Sequence, residues 1–284
     1  MGVSIKNYSL LCNQGTSKFN EDVVGVTPFG AWVLDGATGL NKKNLVSNSS
    51  DARWYTQWWN KYLHENISKN ETLKSIILRG VKQIKKEYLS NLRCEKIEKL
   101  DFPSSSIVVV KFYENKIEYL LLGDCGLFIK NCDKKIIKDR SVCDLDDMVF
   151  EKMNDLPNLR YMSFEEIKES VMDVIIDNRL KKNIDGGYWI LEFDESAIEN
   201  SLNGYIEITE DTKLMLTSDG FTCSCDRYNI VEEDNLIDIC EKFGIEYVYS
   251  KLREFEENDS NGIEVPRFKV KDDASCAYLD IYID

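Results

Sequence analysis

The segment Trp32–Gly39, WVLDGATG, is central to the fold prediction because an apolar run ends there in an acid followed by a glycine. A short apolar run bounded by turn residues is typical of a buried strand, and glycine accepts turn conformations without steric cost. The run is therefore expected to deliver the Asp35 carboxylate to the end of a buried strand. Asp-Gly is also an ordinary turn signal, so one instance carries little weight.

The prediction is stronger because the pattern is repeated: further acids stand at the ends of other apolar runs. Strands that each carry an acid at one end can gather those acids at one edge of a sheet. An alternative is that each acid sits in its own turn and faces water. The repeated acids are Asp22 before VVGV, Asp124 after LLLG, Asp219 after LMLTS, and Asp272 at the head of DDASCAYL.

Gathered carboxylates would repel one another strongly. Two like charges ~4 Å apart cost roughly 4 kcal/mol at an effective dielectric near 20. A convergent set therefore needs either protonation or a divalent cation. Oxygen ligands without histidine or thiolate favour hard ions, so magnesium or manganese is expected rather than zinc or copper.

Composition favours one domain over residues 1–284, since 4 Pro, 15 Gly and 43% hydrophobic residues show neither a linker nor a disordered tract. The formal net charge of −14 argues against nucleic acid or an anionic membrane as a partner. The sequence contains neither a long apolar run nor a signal-peptide core, so we expect a cytoplasmic protein without a membrane partner.

Cysteine and histidine usage excludes several chemistries. The nine cysteines are scattered without a Cys-x-x-Cys pair, which is typical of free thiols in a reducing compartment. His64 is the single histidine. The chain therefore cannot form a zinc site with two or three histidines, and a Ser-His-Asp triad would have to use His64. Its place at the end of a predicted helix favours a surface or capping role.

Apolar periodicity predicts helices covering antiparallel sheets, an α+β fold, and disfavours a doubly wound parallel sheet. Ser50 or Asp51 is expected to cap an aromatic-rich helix. Further helices are predicted over 73–88, around 164–175, and over 236–257 with a break at Gly244. Strands are predicted at 3–12, 23–26, 31–35, 107–112, 117–122, 127–130, near 136–137, and at 188–192, 204–208, 213–217 and 274–283.

Six short motifs occur in an order and spacing that resemble the metal-dependent protein phosphatases, the type 2C serine/threonine family, in a bacterial-type member. The resemblance covers nearly the whole chain. It implies a four-layer α-β-β-α sandwich with two packed antiparallel sheets flanked by helices. It also implies two metal ions and a metal-bridging water that attacks the phosphorus of phosphoserine or phosphothreonine. The motifs are Asn20–Asp22, Val33–Gly36, Ser104–Ser106, Gly123-Asp124, Thr217–Gly220 and Asp272–Ser275.

The resemblance also implies roles for individual residues. Asp35 would bridge both metals, and the Gly36 carbonyl would be a further ligand. Asp219 and Asp272 would complete the first metal's ligands and, with Asp35, form the catalytic set. Residues 138–187 would form a variable flap beside the site. The remaining metal candidates are Glu21 and Asp22 for the second ion, and Asp124 for a third, weaker ion found in some members.

The sequence departs from the family pattern at several positions. The family usually has an arginine before Asn-Glu-Asp that clamps the substrate phosphate. Here Lys18 is the only nearby base and Ser17 the candidate aligned residue; lysine lacks the bidentate fork. The segment Ala37–Gly39 lacks the histidine of eukaryotic members, and Asp273 replaces a common asparagine. Ser218 is interpreted as strand packing because no nucleophile elbow surrounds it.

Three functions remain open at this point. The first is a magnesium- or manganese-dependent phosphoprotein phosphatase, a monomer acting on phosphoserine or phosphothreonine. The second is a catalytically weak or silent relative that binds phosphoprotein or metal and regulates a partner; the absent arginine supports it. The third, a phosphodiesterase or nuclease with the same metals, is disfavoured by the charge of −14.

Overall fold

A computed structural model describes residues 2–41 and 43–283. Ten strands form two antiparallel sheets of five strands each, a first sheet ordered β1-β10-β9-β6-β7 and a second sheet ordered β2-β3-β4-β5-β8. The strands are β1 (Val3–Asn13), β2 (Val23–Thr27), β3 (Gly30–Ala37), β4 (Ser104–Phe112), β5 (Lys116–Leu122), β6 (Gly126–Lys130), β7 (Lys134–Lys138), β8 (Leu202–Glu207), β9 (Thr212–Thr217) and β10 (Ala274–Ile283).

Helices cover the outer face of each sheet. The described helices are α1 (Asp51–Asn66), α2 (Leu73–Asn91), α3 (Ser141–Asn154), α4 (Phe164–Ser170), α5 (Met172–Leu180), α6 (Ser196–Glu199), α7 (Asp219–Asp226), α8 (Leu236–Phe243) and α9 (Ile245–Asn258). None of them combines the length and the apolar character that crossing a membrane requires.

The two sheets pack face to face through apolar side chains. β4 is buried along its whole length because one face meets the other sheet and the opposite face meets helices. Val33 and Val108 of the second sheet pack with Leu216 and Leu279 of the first in one buried cluster. Alternation along each strand sends neighbouring side chains to the opposite, helix-covered face. The α-β-β-α order of layers confirms the predicted fold class.

The helix layer on the second sheet is built from aromatic side chains, as predicted. Tyr55 and Trp59 of α1 are fully buried and pack with Trp32 and with α2. The N-cap of α1 is Ser50, whose side chain accepts from the Arg53 N–H. Asp51 instead accepts from the backbone N–H groups of residues 45–47 and so holds the preceding loop.

The helix layer on the first sheet contains α7, α8 and α9 around Phe221, Leu236 and Leu252. Gly244 separates α8 from α9 with φ of +86°, a conformation that glycine adopts without strain. The predicted break at Gly244 is therefore confirmed. The helix α7 was not predicted, because its eight residues, DGFTCSCD, are too few to show helical periodicity.

Residues 138–187 form a small helical layer with its own apolar cluster of Val149, Met153, Ile167 and Val171. Sequence periodicity predicted one helix near 164–175, and the structure instead has α4 and α5 divided at Val171. The helix α3 was not predicted. The predicted strand at 188–192 is wrong, since that segment makes only isolated bridges, Ser105–Leu191 and Lys182–Tyr188.

The core position of Leu34 gives a stability prediction. Leu34 is fully buried one residue before Asp35, whereas Leu202 on the edge strand β8 is 39% exposed. Leu34→Ala is expected to lower the free energy of unfolding by about 2–5 kcal/mol because it removes buried apolar volume and leaves a cavity. The matched variant Leu202→Ala should change it by less than about 1 kcal/mol. Urea titration measures both, and equal losses would contradict the layer assignment.

Candidate active site

The second sheet brings two of the predicted acids side by side. Asp22 immediately precedes β2 and Asp35 lies in the last half of β3. The antiparallel register pairs Val23 with Leu34. Asp22 precedes Val23 and Asp35 follows Leu34, so the two acids lie side by side. Asp22 is 3% exposed, and Asp35 is half-buried at the sheet end.

The first sheet supplies two more acids at the corresponding end. Asp219 begins α7 directly after β9, and Asp272 lies just before β10. The pairing of Thr217 with Cys276 brings these two chain segments together. Gly220 allows their close approach, because a Cβ at that position would lie 1.9 Å from the Asp273 carbonyl oxygen.

Asp124 lies where the chain crosses from one sheet to the other. It stands between β5 of the second sheet and β6 of the first. Gly123 turns the chain with φ of +77°, and a Cβ there would lie 2.2 Å from the Ser106 hydroxyl oxygen. The Asp124 N–H donates to that hydroxyl at 3.4 Å. The joint between the sheets is thereby tied to the serine-rich start of β4.

The perturbed pKa values show that these acids lie within electrostatic reach of one another. Burial raises the pKa of Asp22 well above its usual range, and the charges of Asp273, Asp272 and Asp219 add to the rise. Burial likewise raises the pKa of Asp35, with further contributions from Asp22 and Asp219. The pKa of Asp124 rises to about 7 through burial and the charge of Asp219.

Two buried carboxylate oxygens in this group, Asp22 Oδ2 and Asp124 Oδ1, have no hydrogen-bond partner in the part of the chain that the structure describes. Buried polar atoms without partners are rare in folded proteins, and they are typical of sites that bind an ion or water or take part in function. Burial raises the pKa of Asp272. The ammonium of Lys269, which forms an ion pair with the Asp272 carboxylate, acts to lower it. Sequence reasoning missed Lys269, which lies on an irregular segment without a recognisable motif.

Glu21 is held by contacts on every side. Its Oε1 accepts from the Thr38 hydroxyl at 2.7 Å and from the Ser50 hydroxyl. Its N–H donates to Asp273 Oδ2 at 2.8 Å, and its carbonyl accepts from the Thr56 hydroxyl at 2.8 Å. The carboxylate that sequence comparison assigned to a second ion is therefore fixed in orientation by neutral hydroxyl donors.

Gly36 lies against this same backbone, because a Cβ there would be 2.6 Å from the Glu21 carbonyl oxygen. Lys18, by contrast, is exposed on the loop before Glu21, with its Nζ 5.1 Å from the centre of the Phe19 ring. Ser218 joins β9 to β10: its hydroxyl accepts from the Ser275 N–H at 3.0 Å. His64 is exposed and packs edge-on against Trp32.

A further acid that sequence reasoning did not single out is Asp146 on α3. Desolvation raises its pKa to about 6, and the nearby charge of Asp219 adds to the rise. Its own charge in turn contributes to the raised pKa of Asp124. Asp146 of α3 therefore lies within electrostatic reach of Asp124 and Asp219. The only sequence signal was a run of acids, DLDD at 144–147, which is equally typical of a solvated helix face.

The acids offer carboxylate oxygens, the donor type that divalent ions such as Mg²⁺ prefer. Within residues 2–41 and 43–283, no three His, Cys, Asp or Glu side chains meet in an arrangement that could hold a metal ion. The donor chemistry nevertheless fits: the acids are oxygen donors, they come from both sheets, and two buried oxygens lack partners. Bound Mg²⁺ or Mn²⁺ would relieve their mutual repulsion.

No protein-family model and no curated protein matches this chain. Solved structures do match over nearly its whole length. The catalytic domain of the serine/threonine phosphatase PstP with two manganese ions is 12% identical, has a TM-score of 0.55, and is covered at 99% of each chain. The PPM Ser-Thr phosphatase MsPP from Mycobacterium smegmatis, in complex with cacodylate, is 13% identical, with a TM-score of 0.53 and 98% coverage of both chains.

A third match is PppA, described as a key regulatory component of T6SS in Pseudomonas aeruginosa. It is 14% identical, with a TM-score of 0.57 and coverage of 99% of this chain and 100% of that one. At these identities the matches establish the fold. The chain has the fold of the PPM-type serine/threonine phosphatases, which confirms the resemblance drawn from the motifs at that level.

The raised pKa of Asp124 predicts a pH dependence of stability in the presence of a chelator. Its pKa rises from 3.8 to about 7, so the native state binds more protons than the unfolded state between these values. This contribution is therefore complete below pH 4 and is lost as pH rises through 7. The free energy of unfolding should therefore decrease less steeply between pH 5 and 8 in Asp124→Asn than in the wild type. The two slopes should differ by at most about 1.4 kcal/mol per pH unit.

Urea unfolding in EDTA at several pH values measures this slope. Asp211→Asn is the matched control because Asp211 is exposed and makes only a 3.9 Å contact with Lys6. An Asp124→Asn slope indistinguishable from both the wild type and this control would contradict the assignment.

Proposed function

We propose that this protein is a magnesium- or manganese-dependent phosphoprotein phosphatase that hydrolyses phosphoserine or phosphothreonine. The observation that supports it most is that acids at strand ends of both sheets lie within electrostatic reach of one another, while the buried oxygens Asp22 Oδ2 and Asp124 Oδ1 have no hydrogen-bond partner among the described residues. A cluster of this kind is suited to hard divalent ions. The fold shared with PstP, MsPP and PppA agrees with this chemistry.

The proposed roles follow the position of each acid. Asp35 would contact both ions, and Asp219 and Asp272 would complete the first ion's carboxylate ligands. The carbonyl of Gly36, the residue after Asp35, would be a ligand of one of the two ions. The remaining candidates are Asp124 for a third ion, and Asp22 and Glu21 for the second ion; of these, Glu21 is held by the hydroxyl and Asp273 contacts described above.

Bound ions would supply an activated water and neutralise charge that develops on the phosphoryl oxygens. The chain's own residues orient this chemistry. Thr38, Ser50 and Thr56 hold Glu21 in one orientation. Lys18 is exposed on the loop before Glu21, and its charge would attract a phosphorylated segment. A nucleophilic side chain is not required, which is consistent with the packing role of Ser218.

The proposal predicts turnover of a phosphothreonine peptide with Mn²⁺ that is abolished by EDTA. Asp35→Asn and Asp219→Asn are each expected to lower kcat by at least about 100-fold, since substituting even a group that only supports a metal ligand costs 10–100-fold. The measurement is phosphate release with added Mn²⁺. The exposed-site variant Asp211→Asn keeps the same change in charge and should retain activity.

Full activity in EDTA, or in Asp35→Asn, would contradict the proposal. A second candidate, a silent phosphoprotein-binding regulator, is favoured by the absence of an arginine at position 17 or 18. PppA, which shares the fold, is described as a regulatory component. Calorimetric Mn²⁺ binding without turnover of any phosphopeptide would select this second function. A monomeric, cytoplasmic protein acting on phosphoprotein stays part of the proposal.

A further inference from the structure

Two cations from different parts of the chain share one aromatic ring beside the acids. Phe19 lies on the loop between β1 and β2, two residues before Glu21. The Lys18 Nζ lies 5.1 Å from the centre of the Phe19 ring. The Arg53 Cζ, which comes from α1, lies 5.9 Å from the same centre. The ring therefore connects the lysine of the loop to the arginine of the helix.

The position of Arg53 on α1 places it at the rim of the candidate site. Residues three apart on a helix share a face. Ser50, three residues before Arg53, donates its hydroxyl to Glu21 Oε1. Thr56, three residues after it, donates its hydroxyl to the Glu21 carbonyl at 2.8 Å. Arg53 thus lies between the two α1 contacts that hold Glu21.

The charges of Lys18 and Arg53 are available to a ligand. Two other cations near the acids are engaged: Lys269 pairs with Asp272, and Arg253 pairs with Glu256. In the described ranges 2–41 and 43–283, neither Lys18 nor Arg53 forms an ion pair with a carboxylate. A cation–π contact orients a cation without neutralising its charge. Both cations can therefore still bind an anion.

We propose that Arg53, held by Phe19 and acting with Lys18, binds the phosphoryl group of the substrate. This inference rests on the proposed function. A phosphoryl dianion that approaches clustered carboxylates is repelled unless cations face it. The planar guanidinium of Arg53 offers two parallel N–H donors to phosphate, and lysine offers a point charge. Arg53 thereby supplies, from a helix, the fork that the loop before Glu21 lacks.

The test compares Arg53→Met with Arg53→Lys in the full chain loaded with Mn²⁺. Arg53→Met should raise KM for a phosphothreonine peptide roughly tenfold and change kcat less than about threefold, because it removes charge-assisted hydrogen bonds to bound phosphate. Inorganic phosphate should inhibit it correspondingly more weakly. Arg53→Lys keeps the charge but loses the fork, so its KM should be intermediate.

Arg79→Met is the matched control, because Arg79 of α2 pairs with Glu71, which contacts Tyr113 just before the start of β5, whereas Asp124 follows the opposite end of that strand. It should leave KM and inhibition by phosphate unchanged. Calorimetric Mn²⁺ binding to Arg53→Met should match the wild type. A large fall in Mn²⁺ affinity would overturn the inference, because Arg53 would then act on the Glu21 contacts rather than on phosphate.

Peptide binding separates this inference from the proposed function. Fluorescence anisotropy is measured with phosphorylated and unphosphorylated forms of one peptide in the presence of Mn²⁺. If the wild type does not hydrolyse the peptide, the phosphatase proposal fails, yet selective binding of the phosphorylated form that is lost in Arg53→Met still supports the phosphate contact. Equal binding by wild type and Arg53→Met, or no phosphate-selective binding by the wild type, would overturn it.

Discussion

The repulsion among carboxylates at the joint of the two sheets is the constraint on which the rest of the site depends. Asp22 and Asp35 come from the second sheet, Asp219 and Asp272 from the first, and Asp124 from the crossing between them. Burial and mutual charge raise the pKa values of Asp22 and Asp35 far above their usual range. Such an arrangement stores unfavourable electrostatic energy, and bound divalent ions are the proposed means of relieving it.

The fold tolerates this cost because each acid stands at or next to the end of a strand that packs into the apolar cluster between the sheets. β4 has no exposed residue, and the apolar cluster between the sheets fixes the spacing of the strand ends. Glycines admit the close approaches: Gly220 against the Asp273 carbonyl and Gly36 against the Glu21 carbonyl. Apolar packing thus determines where the charges lie, and the charges contribute little to the choice of fold.

Contacts of Glu21 and of Phe19 connect the loop between β1 and β2 to the segment before β10 and to α1. Asp273 of the segment before β10 accepts N–H groups from both Gly15 and Glu21, so it ties this loop to the first sheet. Asp273 replaces an asparagine common in the family, and a carboxylate is the better acceptor for two N–H donors, since an amide offers only one oxygen. The same loop carries Phe19, where the helix α1 contributes Arg53.

The sequence by itself determined most strands and helices and the acids at the strand ends, because apolar periodicity and acids at run ends are local signals that burial imposes residue by residue. The four-layer order was implied by the resemblance of the motifs. It also placed the break at Gly244 and limited the α1 cap to Ser50 or Asp51, of which the structure has Ser50. It did not predict α3, a 14-residue helix in an acidic stretch, or α7, which has only eight residues. It also predicted a strand at 188–192, where the structure has only isolated bridges. Only the tertiary structure shows that three further charged residues, Lys269, Asp146 and Arg53, lie near the acids. In the sequence, each of them resembles an ordinary surface charge.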